Sequence, residues 1–347
     1  MNRPSLLDFS FRQLEDAVVL MGEPAYRAGQ IWRALYQRGA ADADALSDAP
    51  LALRQALARD FQFRTLTEQA ETRSSDGKTR KWLFGRVGEA AQIEAVLMIY
   101  DRRRTACIST QAGCAMGCSF CATGQMGFVR NLSIGEIVEQ VLRLAQRTPL
   151  TNIVFMGMGE PFHNYDASLG AVDRLTDPTG MRFGARRITI STVGLVPQIR
   201  RFAGERRQVN LAVSLHAATD ALRDVLVPIN RRYPLEDLRA ACRAYLEATR
   251  RRLTFEWALI EGVNDGVDQA EAFVTWARGM LCHVNLIPLN PTRGYLGRAT
   301  DVPRAEAFRS ALSARGIPAT LRVRRGIDIQ AGCGQLATES RQLTAEG

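Results

Sequence analysis

The sequence predicts an α/β chain: a helical segment at 1–64, a short β extension at 65–102, and from 103 to 347 a parallel sheet closed or partly closed into a barrel. Three observations carry this. Apolar residues recur at helical spacing near the start. The stretch from Thr65 to Thr110 then switches to strand-like alternation. From about residue 103 onward, short apolar runs alternate with amphipathic stretches, the pattern of a parallel sheet with crossover helices.

In order along the chain, Gly22-Glu23-Pro24 opens a helix, with proline tolerated in the first turn. Ile31, Leu35 and Tyr36 follow at helical spacing and Gly39 stops it, which predicts a helix over 25–37. A second is predicted over 51–61. The Ser75-Asp76-Gly77 turn before residues 81–84 signals a hairpin, and 93–99 reads as another strand. Barrel strands are expected at 106–110, 152–156, 187–192, 208–215, 254–260, 284–289 and 320–323. Ser133 and Glu136 form a capping box for one of the intervening helices. In such a barrel, reactive groups gather where strands end.

The composition bounds the partners. A net charge of +9 favours a polyanion such as nucleic acid, but the cations are scattered arginines with Lys78 and Lys81 the two lysines, so charge alone does not identify one. No apolar run reaches membrane-spanning length, nothing at the start reads as a signal peptide, and a cytoplasmic enzyme is the expectation. Seven cysteines in a reducing compartment point to metal binding or catalysis rather than a disulfide framework, and three histidines are too few for a multi-histidine metal site.

The decisive segment is Gly113-Cys114-Ala115-Met116-Gly117-Cys118-Ser119-Phe120-Cys121, a C-x3-C-x2-C spacing in the loop after the first barrel strand. Three thiolates on one loop can each bind one iron of a cubane and leave the fourth iron open to a substrate. A zinc site with Cys107 as fourth ligand is the competing reading, although no second C-x2-C knuckle exists. The spacing, with Phe120 before the last cysteine, resembles the radical S-adenosylmethionine superfamily. That implies one 4Fe-4S cluster on Cys114, Cys118 and Cys121, whose open iron takes exchangeable S-adenosylmethionine.

A wider resemblance covers most of the chain. Phe120-Cys121-Ala122-Thr123-Gly124, Met156-Gly157-Met158-Gly159-Glu160-Pro161, Ser214-Leu215-His216-Ala217, Val227-Pro228-Ile229-Asn230, Val263-Asn264-Asp265-Gly266, Asn290-Pro291 and Ala331-Gly332-Cys333-Gly334-Gln335-Leu336 look like the RlmN/Cfr family of radical RNA methyltransferases, in that family's order. The resemblance implies a partial (β/α)6-type radical S-adenosylmethionine barrel with an N-terminal helical accessory domain.

It also implies a two-stage reaction. One S-adenosylmethionine methylates Cys333; a second yields a radical that activates the methyl group for addition to an adenine ring carbon. Glu94 removes the ring proton, and Cys107 releases the product through a transient disulfide with Cys333. Read by themselves, Cys107 and Cys333 could be small buried hydrophobes and Glu94 an ordinary strand residue. For the methyl donor, Gly159, Glu160, Ser191, Ser214, Leu215, His216 and Asn290 fall at predicted strand ends, and Glu160 can pair with the ammonium. Cys242, Cys282, Met156 and Met158 read as core. The implied substrate is carbon 2 of an adenosine in 23S rRNA, and also in tRNA. The implied assembly is a monomer served by an electron donor such as flavodoxin. Carbon 8, as in the antibiotic-resistance branch, and a non-catalytic zinc-stabilised RNA-binding module are the alternatives.

Overall fold

The structure is a computed structural model that describes residues 3–336; the end of the predicted barrel segment, 337–347, lies outside the described residues. The chain opens with helices α1 (Phe11–Leu20), α2 (Tyr26–Arg33) and α3 (Leu51–Asp60). Ser10 and Gln13 close a capping box that starts α1. α2 runs on through a π turn, Ala34–Arg38, and stops where Gly39 turns left-handed at φ 70°. Leu14, Ile31, Trp32, Leu35 and Leu57 are buried, so the three helices share an apolar core with the barrel.

Strands β1 (Thr67–Arg73), β2 (Thr79–Gly85) and β3 (Gln92–Ile99) form an antiparallel meander, with the predicted turn between the first two. β4 (Arg104–Cys107) pairs antiparallel with β3. A small hairpin follows, β5 (Gln111–Gly113) and β6 (Phe128–Asn131), with the short helix α4 (Ala122–Gln125) inside it. The units then run α5 (Ile134–Arg147), β7 (Asn152–Phe155), α6 (Tyr165–Thr176), β8 (Ile188–Thr192), α7 (Val196–Glu205), β9 (Asn210–Ser214), α8 (Asp220–Leu226), α9 (Leu235–Thr249), β10 (Leu253–Leu259), α10 (Val267–Trp276), β11 (Cys282–Pro288), α11 (Val302–Ala314) and β12 (Ala319–Leu321).

One ten-stranded sheet has the order β1-β2-β3-β4-β7-β8-β9-β10-β11-β12, and every pairing from β4 onward is parallel. Six of those strands are each followed by helix before the next, and β12 adds a short seventh. β1 and β12 are edges, so the barrel is open on one side. The segment from Arg322 to Leu336 crosses that opening: the Ser75 N–H donates to Asp328 at 2.8 Å and Lys81 Nζ to the Gln330 carbonyl at 3.5 Å. The helical segment docks on α5 through polar contacts. Asp8 accepts the Gly135 N–H at 2.6 Å, and the buried Glu139 accepts those of Thr65 and Leu66 at 2.7 and 3.2 Å.

Each predicted strand exists, most of them shorter than expected. The β5–β6 hairpin was not foreseen. It depends on Gly113, whose φ of +70° brings its α-carbon so close to the Gly127 carbonyl that any side chain would collide with it.

Candidate active site

The hairpin holds the three-cysteine loop. Cys114 follows β5 and donates its N–H to the Gly127 carbonyl at 2.9 Å; Cys121 caps α4, and its N–H reaches the Cys118 carbonyl at 3.1 Å. The Ser119 N–H bonds the Leu226 carbonyl (3.1 Å) and the Ala122 N–H the Gly334 carbonyl (2.7 Å), so the loop is fastened both to the barrel and to the chain end. Phe120 packs edge-on against His216, ring centroids 4.8 Å apart. Burial raises all three thiols, Cys114 to about 12. Iron binding must therefore release protons.

Among the described residues no three His, Cys, Asp or Glu side chains are close enough to hold one ion. Yet Cys118 feels the charges of both Cys114 and Cys121. Three thiols on one loop, Cys118 within electrostatic reach of both others, are the donor chemistry of a cluster with one iron per thiolate, so the donor set fits a 4Fe-4S group.

Cys118 and Cys121 border a cavity at the strand ends. Gly159, Glu160, Ser191, Ser214, His216, Asn290 and Cys333 also line it. Ser191 and Ser214 face each other with hydroxyls 3.2 Å apart. Gly159 sits at φ +94°, where a Cβ would lie 2.4 Å from that of Gln111. The close approach its glycine permits is thus to the neighbouring backbone segment. Both Glu160 carboxylate oxygens are engaged, one by the Phe162 N–H (2.9 Å) and one by the Val193 N–H (2.8 Å). Burial still lifts its pKa to about 7. His216 adopts φ +62°; its Nδ1 accepts the Ala258 N–H at 2.9 Å, which places the proton of the neutral ring on Nε2. Burial, then the nearby Arg223 charge, push its pKa down to about 3. Asn290 Nδ2 donates to the Cys333 carbonyl at 3.1 Å. Leu215 differs: its side chain is wholly buried and does not line the cavity.

A second cavity lies on the open side of the barrel. Cys107, from β4, and Cys333, from the crossing segment, both line it. Cys333, Asn290, Met156, Ile287 and Leu336 border both cavities, so they form the wall between them. Cys333 is exposed, whereas Cys107 is buried, and burial pushes the Cys107 thiol up to about 12. Met156, read as core from the sequence, is therefore cavity wall, whereas Met158 is buried as expected.

Glu94 occupies the same face of the sheet as Cys107, because Val96, two residues on, is the cross-strand partner of Cys107. It lines neither cavity. Its carboxylate is 3.0 Å from Lys81 Nζ, with the side chains 3% and 4% exposed. Cys242 and Cys282 are buried packing residues, as read from the sequence.

Two buried charges escaped the sequence reading. Arg223, fully buried in α8, donates to the carbonyls of Leu215 (3.0 Å), Val193 (2.6 Å) and Ser214 (3.3 Å) and to Asn230 Oδ1 (2.8 Å), tying together the loops after β8 and β9. Nothing local marks it in the sequence. Glu256 lines the first cavity and accepts from Asn285 Nδ2 at 2.6 Å; burial raises its pKa. A carboxylate between Phe255 and Trp257, at the inward parity of Thr254, was a usable signal.

Comparison with known proteins agrees with this architecture. Residues 108–274 match the radical SAM superfamily, and residues 4–62 match the ribosomal RNA large subunit methyltransferase N-terminal domain. The chain is 49% identical to the probable dual-specificity RNA methyltransferase RlmN of Chloroflexus aurantiacus, over 97% of this chain and 93% of that one. It is 50% identical to dual-specificity RNA methyltransferase RlmN 1 of Myxococcus xanthus, over 91% and 90%. The crystal structure of a radical SAM methyltransferase from Sphaerobacter thermophilus superposes with a TM-score of 0.93 at 52% identity, over 96% of this chain and 98% of that one. No helix among the described residues is long and apolar enough to cross a membrane. On these matches, which span nearly its whole length, the chain belongs to the RlmN family of radical S-adenosylmethionine RNA methyltransferases.

Proposed function

We propose that the protein methylates carbon 2 of an adenosine in 23S rRNA and in tRNA by way of a methyl group carried on Cys333. One observation supports this above the rest: Cys333 stands in the wall between the cluster-side cavity and the cavity that holds Cys107.

When bound on Cys114, Cys118 and Cys121, the cluster supplies an open iron and an electron for radical cleavage of S-adenosylmethionine. The protein's own groups do the rest. Ser191, Ser214, the neutral His216 ring and Asn290 present hydroxyl, N–H and amide groups to the ribose, base and carboxylate of the donor. Glu160, already accepting two amide N–H groups, keeps remaining lone pairs for the ammonium. Cys333 takes the methyl group of one S-adenosylmethionine by displacement, its S–C bond forming as the sulfonium bond breaks. A second S-adenosylmethionine is consumed in removing a hydrogen atom from that methyl, and the carbon then bonds to the adenine ring, the adduct giving back the one electron spent on the cleavage. Glu94 accepts the ring proton, for which its pairing with Lys81 must open toward the second cavity. Cys107, as its thiolate, attacks Cys333 Sγ; an S–S bond forms, the S–CH2 bond breaks, the freed carbon takes up a proton to become the methyl group, and the methylated base leaves; an external thiol then reduces the disulfide for the next turnover.

The shared name of the relatives supports carbon 2 over carbon 8, which mass spectrometry of the modified nucleoside separates. The same reading carries a cytoplasmic monomer reduced by a flavodoxin-like donor. The deciding experiment is Cys107→Ala. The expected product is a covalent adduct joining RNA to Cys333; full-rate turnover with free RNA would remove the disulfide step.

A further inference from the structure

The open side of the barrel carries a group of cations that the protein neutralises only in part. Tyr100, just past β3, gathers three of them. The guanidinium carbons of Arg103 and Arg325 lie 4.6 and 4.7 Å from its ring centroid. Arg322 Nη2 donates to its hydroxyl at 3.3 Å. Arg324 is exposed in the same segment. Two carboxylates approach: Asp76, 3.7 Å from Arg325 Nη1, and the buried Glu256, whose charge acts on Arg322 from within the barrel. Arg103, Arg322 and Arg324 make no ion pair among the described residues, and Arg325 Nε and Nη1 are buried without a hydrogen-bond partner. Asp328 is occupied by the Ser75 N–H.

Several arginines elsewhere are matched with acids, among them Arg207 with Asp173 and Glu205, Arg304 with Asp265, and Arg130 with Glu89 and Glu136; what sets this group apart is that its members converge on one ring at the rim of a cavity. Converging like charges repel, and cation–π contact with one phenol, worth about 0.5–1 kcal/mol at such a site, does not supply a counter-charge. An anion from outside does. Its place is set by the cavity: Tyr100, Arg322, Arg324 and Arg325 form the mouth of the chamber whose floor holds Cys107 and Cys333.

We propose that Tyr100, Arg103, Arg322, Arg324 and Arg325 clamp the RNA backbone, gripping phosphates that flank the target adenosine while its base enters the cavity. The inference rests on the RNA reading given above and adds the surface that reads it. Guanidinium forks match phosphate oxygens, and phosphate contacts fix register without reading sequence. Tyr100 positions the forks, lowering the entropy lost on binding. An acidic electron-donor protein is the other polyanion in reach, but it must approach the three-cysteine loop, and this patch borders the other chamber.

The test uses the anaerobic holoenzyme and fluorescence anisotropy with tRNA and an rRNA hairpin, over a series of KCl concentrations. An Arg103→Gln/Arg324→Gln double variant is expected to lower the slope of log affinity against log salt by about 1.4, for two contacts to single-stranded phosphates. Both RNAs should be affected alike. Tyr100→Leu should weaken binding with a smaller change of slope. Methylation of Cys333 without RNA, read by protein mass, should match wild type in the double variant. Arg200→Gln, on the exposed side of α7, is the charge-matched comparison. A double variant that binds RNA no differently from Arg200→Gln, while RNA is still methylated, overturns the clamp and leaves the activity standing. Unchanged RNA binding with slower reduction by flavodoxin would reassign the patch to the donor protein. A wild-type enzyme that methylates Cys333 yet binds no RNA would overturn the activity itself.

Discussion

Replacing Arg223 by methionine should cost about 3 kcal/mol of stability and loosen the methyl-donor site. The guanidinium makes four hydrogen bonds inside the protein, to Leu215, Asn230, Val193 and Ser214. At about 1.5 kcal/mol for each bond from a charged donor, they contribute about 6 kcal/mol. Against this stands the cost of burying the charge. Burial pulls the arginine pKa down to about 10, which corresponds to about 3 kcal/mol. The remainder, about 3 kcal/mol, is a large share of a typical folding stability. Methionine fills the volume without donating, so the carbonyls after β8 and β9 lose their common anchor. Because Ser214 and Val193 flank the donor cavity, affinity for S-adenosylmethionine should fall about tenfold, near 1.4 kcal/mol. Arg223→Lys should recover part of the loss, since one ammonium cannot span the acceptors of a planar fork. Urea unfolding of the anaerobic protein and calorimetric titration with S-adenosylmethionine measure both quantities. A stability within about 0.5 kcal/mol of wild type would refute the assignment of Arg223 as the anchor.

Two further outcomes follow from single residues. Gly159→Ala should destabilise by at least 1–3 kcal/mol, roughly the strain of φ +94° alone, with the clash at Gln111 added; an unchanged melting temperature would contradict it. His216 is depressed from 6.5 to about 3, so the unfolded chain takes up a proton that the folded one refuses. Its stabilising share is whole above pH 6.5 and is lost as pH falls toward 3, about 2 kcal/mol by pH 5. Urea midpoints of wild type and His216→Asn from pH 8 to 5 should therefore converge by that amount as the acid end is approached, and parallel curves would show that the ring is not buried neutral.

The parallel strands were legible because buried strands in such sheets are continuous apolar runs, as in residues 208–215 and 284–289. Helix starts were legible where a capping box wrote them, at Ser133 and Glu136. The β5–β6 hairpin was not, since Gln111-Ala112-Gly113 and Phe128–Asn131 are short, mixed in polarity and held by a glycine contact across the loop. Among site residues, the cysteine spacing was local and plain. That Cys107 and Cys333 would share one cavity came from resemblance, because no local pattern encodes the approach of the first barrel strand to a segment more than two hundred residues later. Arg223 and the cations around Tyr100 are products of tertiary approach alone. Leu215 lies inside a matching motif, but its side chain is buried and absent from the cavity lining, so only its backbone is placed to meet a ligand there.

The partition built around Cys333 also separates two traffic problems. On the proposed assignment of the two cavities, a small, diffusible donor can come and go through one door while a long polymer stays seated at another. On the proposed chemistry, the carried carbon changes rooms without ever leaving the protein. Two cofactor exchanges can then take place beneath a single stay of the nucleic acid, and neither visitor has to be evicted for the other to be served.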